Sequence, residues 1–183
     1  MSKKEFRKMG ITFVPDVIVR PCDKPALARA WKRATHSDPK DPEVRRMIVA
    51  IKSRKMAPVV VKEVKFKKEL QRGLFAAARI KKGTIVGHYS GKLLRECVVN
   101  CDSDYVFSFS DKAYAKWVID GEKVGNHMRF VNHSKRVNLE AVELYYGKLP
   151  RIVFVASRDI KEGEELLYSY GEEYWKTKGI KPE

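Results

Sequence analysis

The chain has 183 residues, of which 44% are hydrophobic and 33% charged. That is enough for one well-buried core with a small appended lobe but not for two full domains, and no window holds the roughly 18 consecutive apolar residues of a membrane span. The formal net charge is +15 and unevenly placed: residues 1–72 hold 20 Lys/Arg and 8 Asp/Glu, residues 73–183 hold 18 and 15.

In chain order, Met1 to Arg7 opens with charge and no apolar stretch follows, which speaks against a Sec-type signal. Prolines at 15, 21, 25, 39, 42 and 58 divide the first part. Between them, Ala26–Ala34 reads as one helix and Glu43–Lys55 as a second, with Val44, Met47, Ile48 and Ile51 on one face. Pro25 and Pro42 fall where the first turn of a helix tolerates proline. Residues 1–58 thus form a basic helical N-terminal region. Its charge suits either an anionic partner, with non-specific nucleic-acid contact the leading form, or a solvated basic face. No base-reading motif accompanies it.

From Pro58 the texture changes. Val59–Phe66 is rich in β-branched residues and reads as strand. Short strands follow, separated by glycine turns: Gly73–Ala77, Thr84–Tyr89, Tyr105–Phe109, Trp117–Asp120, Arg151–Ala156 and Glu165–Tyr170. The fold class is mostly β with a small α lobe. Three cysteines, Cys22, Cys97 and Cys101, are too few and too odd in number for a disulfide framework, and no His or Cys near Cys97 and Cys101 completes a zinc set. No metal is expected, and a reducing, intracellular compartment is.

Four segments carry chemistry together: Arg72-Gly73-Leu74-Phe75-Ala76; Tyr89-Ser90-Gly91; Gly125-Asn126-His127-Met128-Arg129-Phe130-Val131-Asn132-His133-Ser134; and Glu165-Leu166-Leu167-Tyr168-Ser169-Tyr170-Gly171. Val118-Ile119-Asp120-Gly121 precedes the third. Any one is weak, but Arg-Phe-x-Asn-His-Ser followed some thirty residues later by Glu-Leu-x-Tyr-x-Tyr-Gly is specific in order, spacing and residue type. In this set the chain resembles the SET-domain protein lysine methyltransferases, over Val59 to Trp175, and is most similar to small stand-alone viral and bacterial members that lack zinc-binding flanks.

The resemblance implies a SET-domain (β-clip) fold of short strands over 59–171, closed by a C-terminal pseudoknot in which Arg129–Asn132 threads beneath the Tyr168–Gly171 loop. A tail, 172–183, would close the active site. It implies S-adenosyl-L-methionine as cofactor and transfer of its methyl group to a lysine amine. Gly73 would let backbone approach the cofactor, and Arg72, Leu74, Tyr89, Arg129, Phe130, Asn132, His133, Tyr170 and Trp175 would complete that site. Tyr170 is the expected central catalytic residue, with Tyr168 and Tyr105 beside it. Tyr168 stands at the family's Phe/Tyr product-specificity position and leans towards mono- or dimethylation.

The pattern also departs from the family. Gln71 replaces the first glycine of Gly-x-Gly, Lys92 follows Tyr-x-Gly where Glu is common, and Lys135-Arg136-Val137-Asn138 keeps only Asn138 of Cys-x-Pro-Asn. The protein substrate that family habit and charge favour is a histone or histone-like DNA-packaging protein. A basic enzyme needs acid in the groove to hold a basic tail, and Glu140, Glu143, Glu172 and Glu173 are the candidates. Localisation at nuclear or nucleoid chromatin follows, or secretion into a host nucleus for a bacterial effector. Two other readings are a catalytically silent SET fold that binds nucleic acid or chromatin, and a methyltransferase for a cytosolic or ribosomal protein.

Overall fold

Antiparallel hairpins make the frame of this computed structural model, which describes residues 1–55, 57–66, 69–96 and 103–171. Trp175, Glu172, Glu173, Cys97, Cys101 and the whole 172–183 tail lie outside the described residues. Three helices come first. Helix α1 (Lys3–Lys8) is closed by a capping box between Ser2 and Glu5, in which each residue satisfies an orphan backbone N–H of the other. Strands β1 (Thr12–Phe13) and β2 (Ile18–Val19) follow, then α2 (Lys24–Arg33) and α3 (Pro42–Ser53).

The second and third helices match the expected ones within two residues. Asp41 caps α3 by accepting from Glu43 N at 2.8 Å and Val44 N at 3.2 Å, and Arg54, in the left-handed region at φ 53°, ends it. Helix α1 and strands β1 and β2 were not foreseen. They are too short for a periodic signal, and each is held by tertiary contact.

The remaining strands are β3 (Val59–Phe66), β4 (Glu69–Ala76), β5 (Ile85–His88), β6 (Lys92–Arg95), β7 (Val106–Ser108), β8 (Trp117–Asp120), β9 (Val124–Gly125), β10 (Asn132–His133), β11 (Leu139–Tyr146), β12 (Leu149–Ala156) and β13 (Leu167–Tyr168). Strands β3 and β4 form a hairpin, and β11, β12 and β5 a three-stranded sheet. The β11–β12 turn has Gly147 and Lys148 both at positive φ, the conformation a two-residue hairpin needs to match strand twist. A four-stranded sheet runs β2-β6-β8-β7. Two short parallel pairings, β1 with β9 and β10 with β13, tie distant parts together.

Strand β2 also pairs with β6, so residues from the first 58 add to two sheets. Phe6, Ile11, Val17, Leu27 and Ala30 join one apolar core with Leu74, Ile119 and Phe154. A second cluster seats Met47 and Ile48 of α3 on Leu144 and Val153. Asp16, in the N-terminal region, takes both Nε and Nη2 of the buried Arg151, at 3.0 and 2.9 Å. Burial of Asp16 raises its proton affinity, but His88 at 3.2 Å and Arg151 outweigh it and hold the carboxyl well below its ordinary value.

Candidate active site

Parallel pairing of β10 with β13 sets Asn132 opposite Leu167 and His133 opposite Tyr168. Ser134 N donates to Tyr168 O and Asn138 N to Leu167 O. Asn138 is fully buried and clamps the crossing with its side chain: Oδ1 accepts from Leu167 N at 2.8 Å, and Nδ2 donates to Glu165 O at 2.7 Å. This is the long-range joint expected for the pseudoknot. It brings residues near 132 and 168 to one place.

One half of the site is a cradle over β4. Asn132 Nδ2 donates to Glu165 Oε1 at 2.9 Å and to Arg72 O at 3.2 Å. Gly73 lies beneath this carboxylate, and a Cβ there would collide with Glu165 Oε1 and crowd the Phe75 ring. Glycine thus lets Glu165 take this position, and the cradle offers an amide, a carboxylate and backbone groups. Both Nδ2 hydrogens are thus engaged, and what the set offers is acceptors, the Glu165 carboxylate and Asn132 Oδ1, which suit the ammonium of an amino-acid tail.

The other half is a narrow pocket walled by tyrosines. Tyr89, Tyr105, Phe107, Met128, Arg129, Tyr168 and Tyr170 line it, together with Asp104. Tyr168 stacks on Phe107 with ring centroids 5.3 Å apart, meets Phe154 edge-on, and lies 4.9 Å from the Tyr170 ring. Tyr89 is buried and donates its hydroxyl to Tyr105 O at 2.8 Å; burial pushes that phenol far above its usual range. Two glycines allow this packing. A Cβ on Gly121 would lie 2.5 Å from Tyr89 Oη, and one on Gly91 would strike the Asp120 carbonyl. Tyr89-x-Gly91 and Asp120-Gly121 thus interlock.

Tyr170 joins the halves. Its backbone N–H donates to His133 Nδ1 at 3.1 Å and its hydroxyl to Val131 O at 3.3 Å. His133 must carry its proton on Nε2 to accept there, and burial followed by the nearby Lys135 lowers its proton affinity, favouring that neutral form. Gly171 follows at φ +83°, in the left-handed region that favours glycine.

The two halves sort the sequence-predicted residues. Tyr89, Tyr105, Arg129, Tyr168 and Tyr170 meet at the pocket; Arg72, Gly73 and Asn132 meet at the cradle, and His133 packs on Tyr170. Arg129 stacks 3.9 Å above the Tyr105 ring and donates to Gly121 O and Glu122 O, so its guanidinium is committed to the pocket wall. Leu74 and Phe130 are buried, with Phe130 against Phe6 and Leu74 O accepting from Leu166 N at 2.7 Å. Glu143, expected in a substrate groove, instead accepts from Ser110 N, Ser110 Oγ and the Tyr145 hydroxyl; Glu140 is exposed on β11.

Sequence reasoning gave no role to Glu165, Asp104, Phe107 or Met128. Glu165 lay inside a recognised segment, and its spacing from Tyr170 was a usable signal. Asp104 had none: it is a loop acid before β7, and it is the one carboxylate lining the pocket among the described residues.

The SET domain family matches residues 71–171. Histone-lysine N-methyltransferase EHMT1 of Mus musculus is 36% identical over 103 residues, covering 53% of this chain and 8% of that protein. N-lysine methyltransferase KMT5A-A of Danio rerio is 36% identical over 122 residues, covering 60% and 35%. The chain therefore spans about a third or less of the length of these curated relatives. Among solved structures, the Chaetomium thermophilum polycomb repressive complex 2 in an autoinhibited conformation bound to S-adenosylmethionine aligns with TM-score 0.58 and 28% identity, over 68% of this chain and 16% of that one. ATXR5 in complex with a histone aligns with TM-score 0.70 over 92% of this chain and 85% of that one, at 22% identity, a likeness of fold.

Proposed function

The chain belongs to the SET-domain family, and from that membership we propose that it transfers a methyl group from S-adenosylmethionine to a lysine side chain of a protein. One observation carries the reading. Tyr170 lines the aromatic pocket with Tyr89, Tyr105 and Tyr168, and its backbone N–H is held by His133, the chain neighbour of Asn132 in the polar cradle with Gly73 and Glu165. A zwitterionic cofactor and an unbranched alkyl amine are the pair of ligands such halves suit.

When bound, the cofactor supplies an electrophilic methyl on a sulfonium. The chain's own residues do the rest. Asn132 Oδ1 and the Glu165 carboxylate would hold the ammonium of the amino-acid tail, and Gly73 leaves room for that carboxylate. The rings of Tyr105, Phe107 and Tyr168 hold the lysine stem, and alignment of amine with methyl is worth several orders of magnitude in rate. Arg129, fixed beside the pocket, and its aromatic walls favour the neutral amine against the opposing Asp104 carboxylate, and the amine leaves its proton to water. The Tyr170 hydroxyl keeps oxygen lone pairs for weak C–H contacts with the methyl. Tyr168 limits room for methyl groups already added, which supports mono- or dimethylation.

A histone or histone-like protein is the substrate that the relatives' names support, with a place at chromatin. Asp104 is suited to meet a cation on the incoming basic segment. The exposed Arg29, Lys32 and Arg33 of α2 and Arg45 and Lys52 of α3 would add salt-sensitive, sequence-independent contact with nucleic acid. Charge reversal of these five should flatten the salt dependence of duplex binding.

Transfer of radiolabelled methyl from S-adenosylmethionine to core histones, bacterial histone-like proteins and a whole-cell lysate tests the activity, with Tyr170→Phe as control. A labelled lysine that disappears with Tyr170→Phe, at unchanged thermal stability, is expected. Absence of label from all three together with absence of cofactor binding by calorimetry would overturn the reading in favour of a silent binding module.

A further inference from the structure

A second cleft, of about 270 Å³, opens between the C-terminal end of α3, strand β5 and the segment around β1. It shares no lining residue with the tyrosine pocket. Its walls are apolar: Phe13 and Pro15 on one side, Ile51 and Ile85 on the other. Two uncharged polar residues also line it, Asn126, whose side chain is already hydrogen-bonded, and His88, which faces Asp16. Asn126 donates to His88 O at 2.9 Å and accepts from Met128 N at 3.0 Å, while His88 Nε2 lies 3.2 Å from Asp16. With the Asn126 amide satisfied and His88 turned to Asp16, an apolar ligand body meets mainly the apolar walls.

The charge at the cleft has one sign. Lys3, Arg54 and Lys55 are among the lining residues, all exposed, and no carboxylate lines the cleft. None of the three makes an ion pair among the described residues, unlike Arg20, Arg46, Arg79, Arg151 and Arg158. Arg54 stands at the end of α3 in a left-handed backbone conformation, and Lys3 lies 5.8 Å from the Phe13 ring centroid.

We propose that this cleft binds a small anionic molecule with an apolar body, of the class of a medium-chain carboxylate, its tail between Ile51, Ile85 and Phe13 and its head among Lys3, Arg54 and Lys55. Charge complementarity selects the occupant. A neutral apolar molecule leaves the three cations unanswered, and a cation meets their repulsion. The volume fits a chain of a few carbons better than a folded partner.

The full chain titrated with octanoate, octanol and acetate, followed by amide chemical shifts, tests this. Octanoate should give saturable shifts centred on Ile51, Ile85 and His88. Octanol, with the body but no charge, should bind about tenfold more weakly or worse, and acetate, with the charge but no body, weaker still. Ala50→Trp, which adds bulk to the lining, should abolish octanoate binding while circular dichroism stays that of the parent. Arg54→Gln with Lys55→Gln, both at exposed positions, should weaken octanoate about tenfold and leave octanol unchanged. Unsaturable shifts, equal affinity for octanol and octanoate, or undiminished binding by the glutamine pair would each overturn the proposal. None of these outcomes depends on methyl transfer, so the cleft and the catalytic reading stand or fall separately.

Discussion

Replacing Gly121 by alanine tests whether the aromatic pocket is as tightly interlocked as its contacts indicate. The new methyl would lie 2.5 Å from Tyr89 Oη, 3.0 Å from Cζ and 3.1 Å from Cε1. Gly121 is not at positive φ, so the substitution itself carries no backbone strain and gains about 0.4–1 kcal/mol by stiffening the unfolded chain. Against that stand overpacking of a buried ring, about 1–3 kcal/mol, and loss of the Tyr89–Tyr105 hydrogen bond, about 1 kcal/mol. The net expectation is destabilisation of about 2 kcal/mol, read as a lower urea midpoint at unchanged slope. Tyr89→Phe alone should cost only about 1 kcal/mol, because Tyr105 O still accepts from Gly121 N at 2.8 Å. The double variant removes the hydroxyl that collides, so its loss should fall short of the two single losses together by about 1 kcal/mol. Single-turnover methyl transfer should drop about ten- to a hundredfold in Gly121→Ala, since the displaced wall misaligns the lysine. Losses that add within about 0.5 kcal/mol would refute the interlock.

Asn138→Ala should cost about 3 kcal/mol, since it orphans Leu167 N and Glu165 O in a buried crossing; urea unfolding measures it, and hydrogen exchange at Leu167 should speed up. Asp16 has its carboxyl held below the ordinary 3.8, so its contribution is complete above that value and fades as pH falls towards the folded one. The urea midpoint of the parent should therefore fall more steeply below about pH 4 than that of Asp16→Asn, with similar slopes above. Tyr168→Phe should shift the product towards higher methylation states at similar total turnover, resolved by mass spectrometry of the labelled lysine.

Legibility of the fold followed signal length only in part: β11, eight residues long, was not expected, because Leu-Glu-Ala-Val-Glu-Leu carries no strand alternation and its pairing with β12 decides it. Helices α2 and α3 were readable because an early-turn proline and helix-forming residues agree over ten or more positions, with an apolar stripe besides in α3. Helix α1 and strands β1 and β2 were not, because six- and two-residue elements have no period; Phe6 and pairing with β9 and β6 hold them instead. The site was legible as company. Gly91 and Gly121 are ordinary turn glycines in isolation, and only the folded chain reveals that one spares the Asp120 carbonyl and the other the Tyr89 ring. Side-chain direction was illegible. Arg129 and Phe130 are adjacent in one motif, yet the 3₁₀ turn His127–Phe130 sends the first to Tyr105 and the second into the core.

The same geometry explains why so short a chain needs its N-terminal region. Tyr89 follows directly on β5, and β5 has β12 on one edge while its His88 rests against Asp16. Asp16 in turn anchors Arg151 of β12. Ser90, between Tyr89 and Gly91, is fully buried and donates to Val14 O at 2.9 Å, and Ile18 N donates to Gly91 O at 2.9 Å. The segment 14–18 therefore grips Ser90 and Gly91 after β5 and Arg151 of β12 together. Removing it would leave a buried arginine without its carboxylate and a buried hydroxyl without its acceptor, at several kcal/mol in all, which is a large part of the stability of a domain this size.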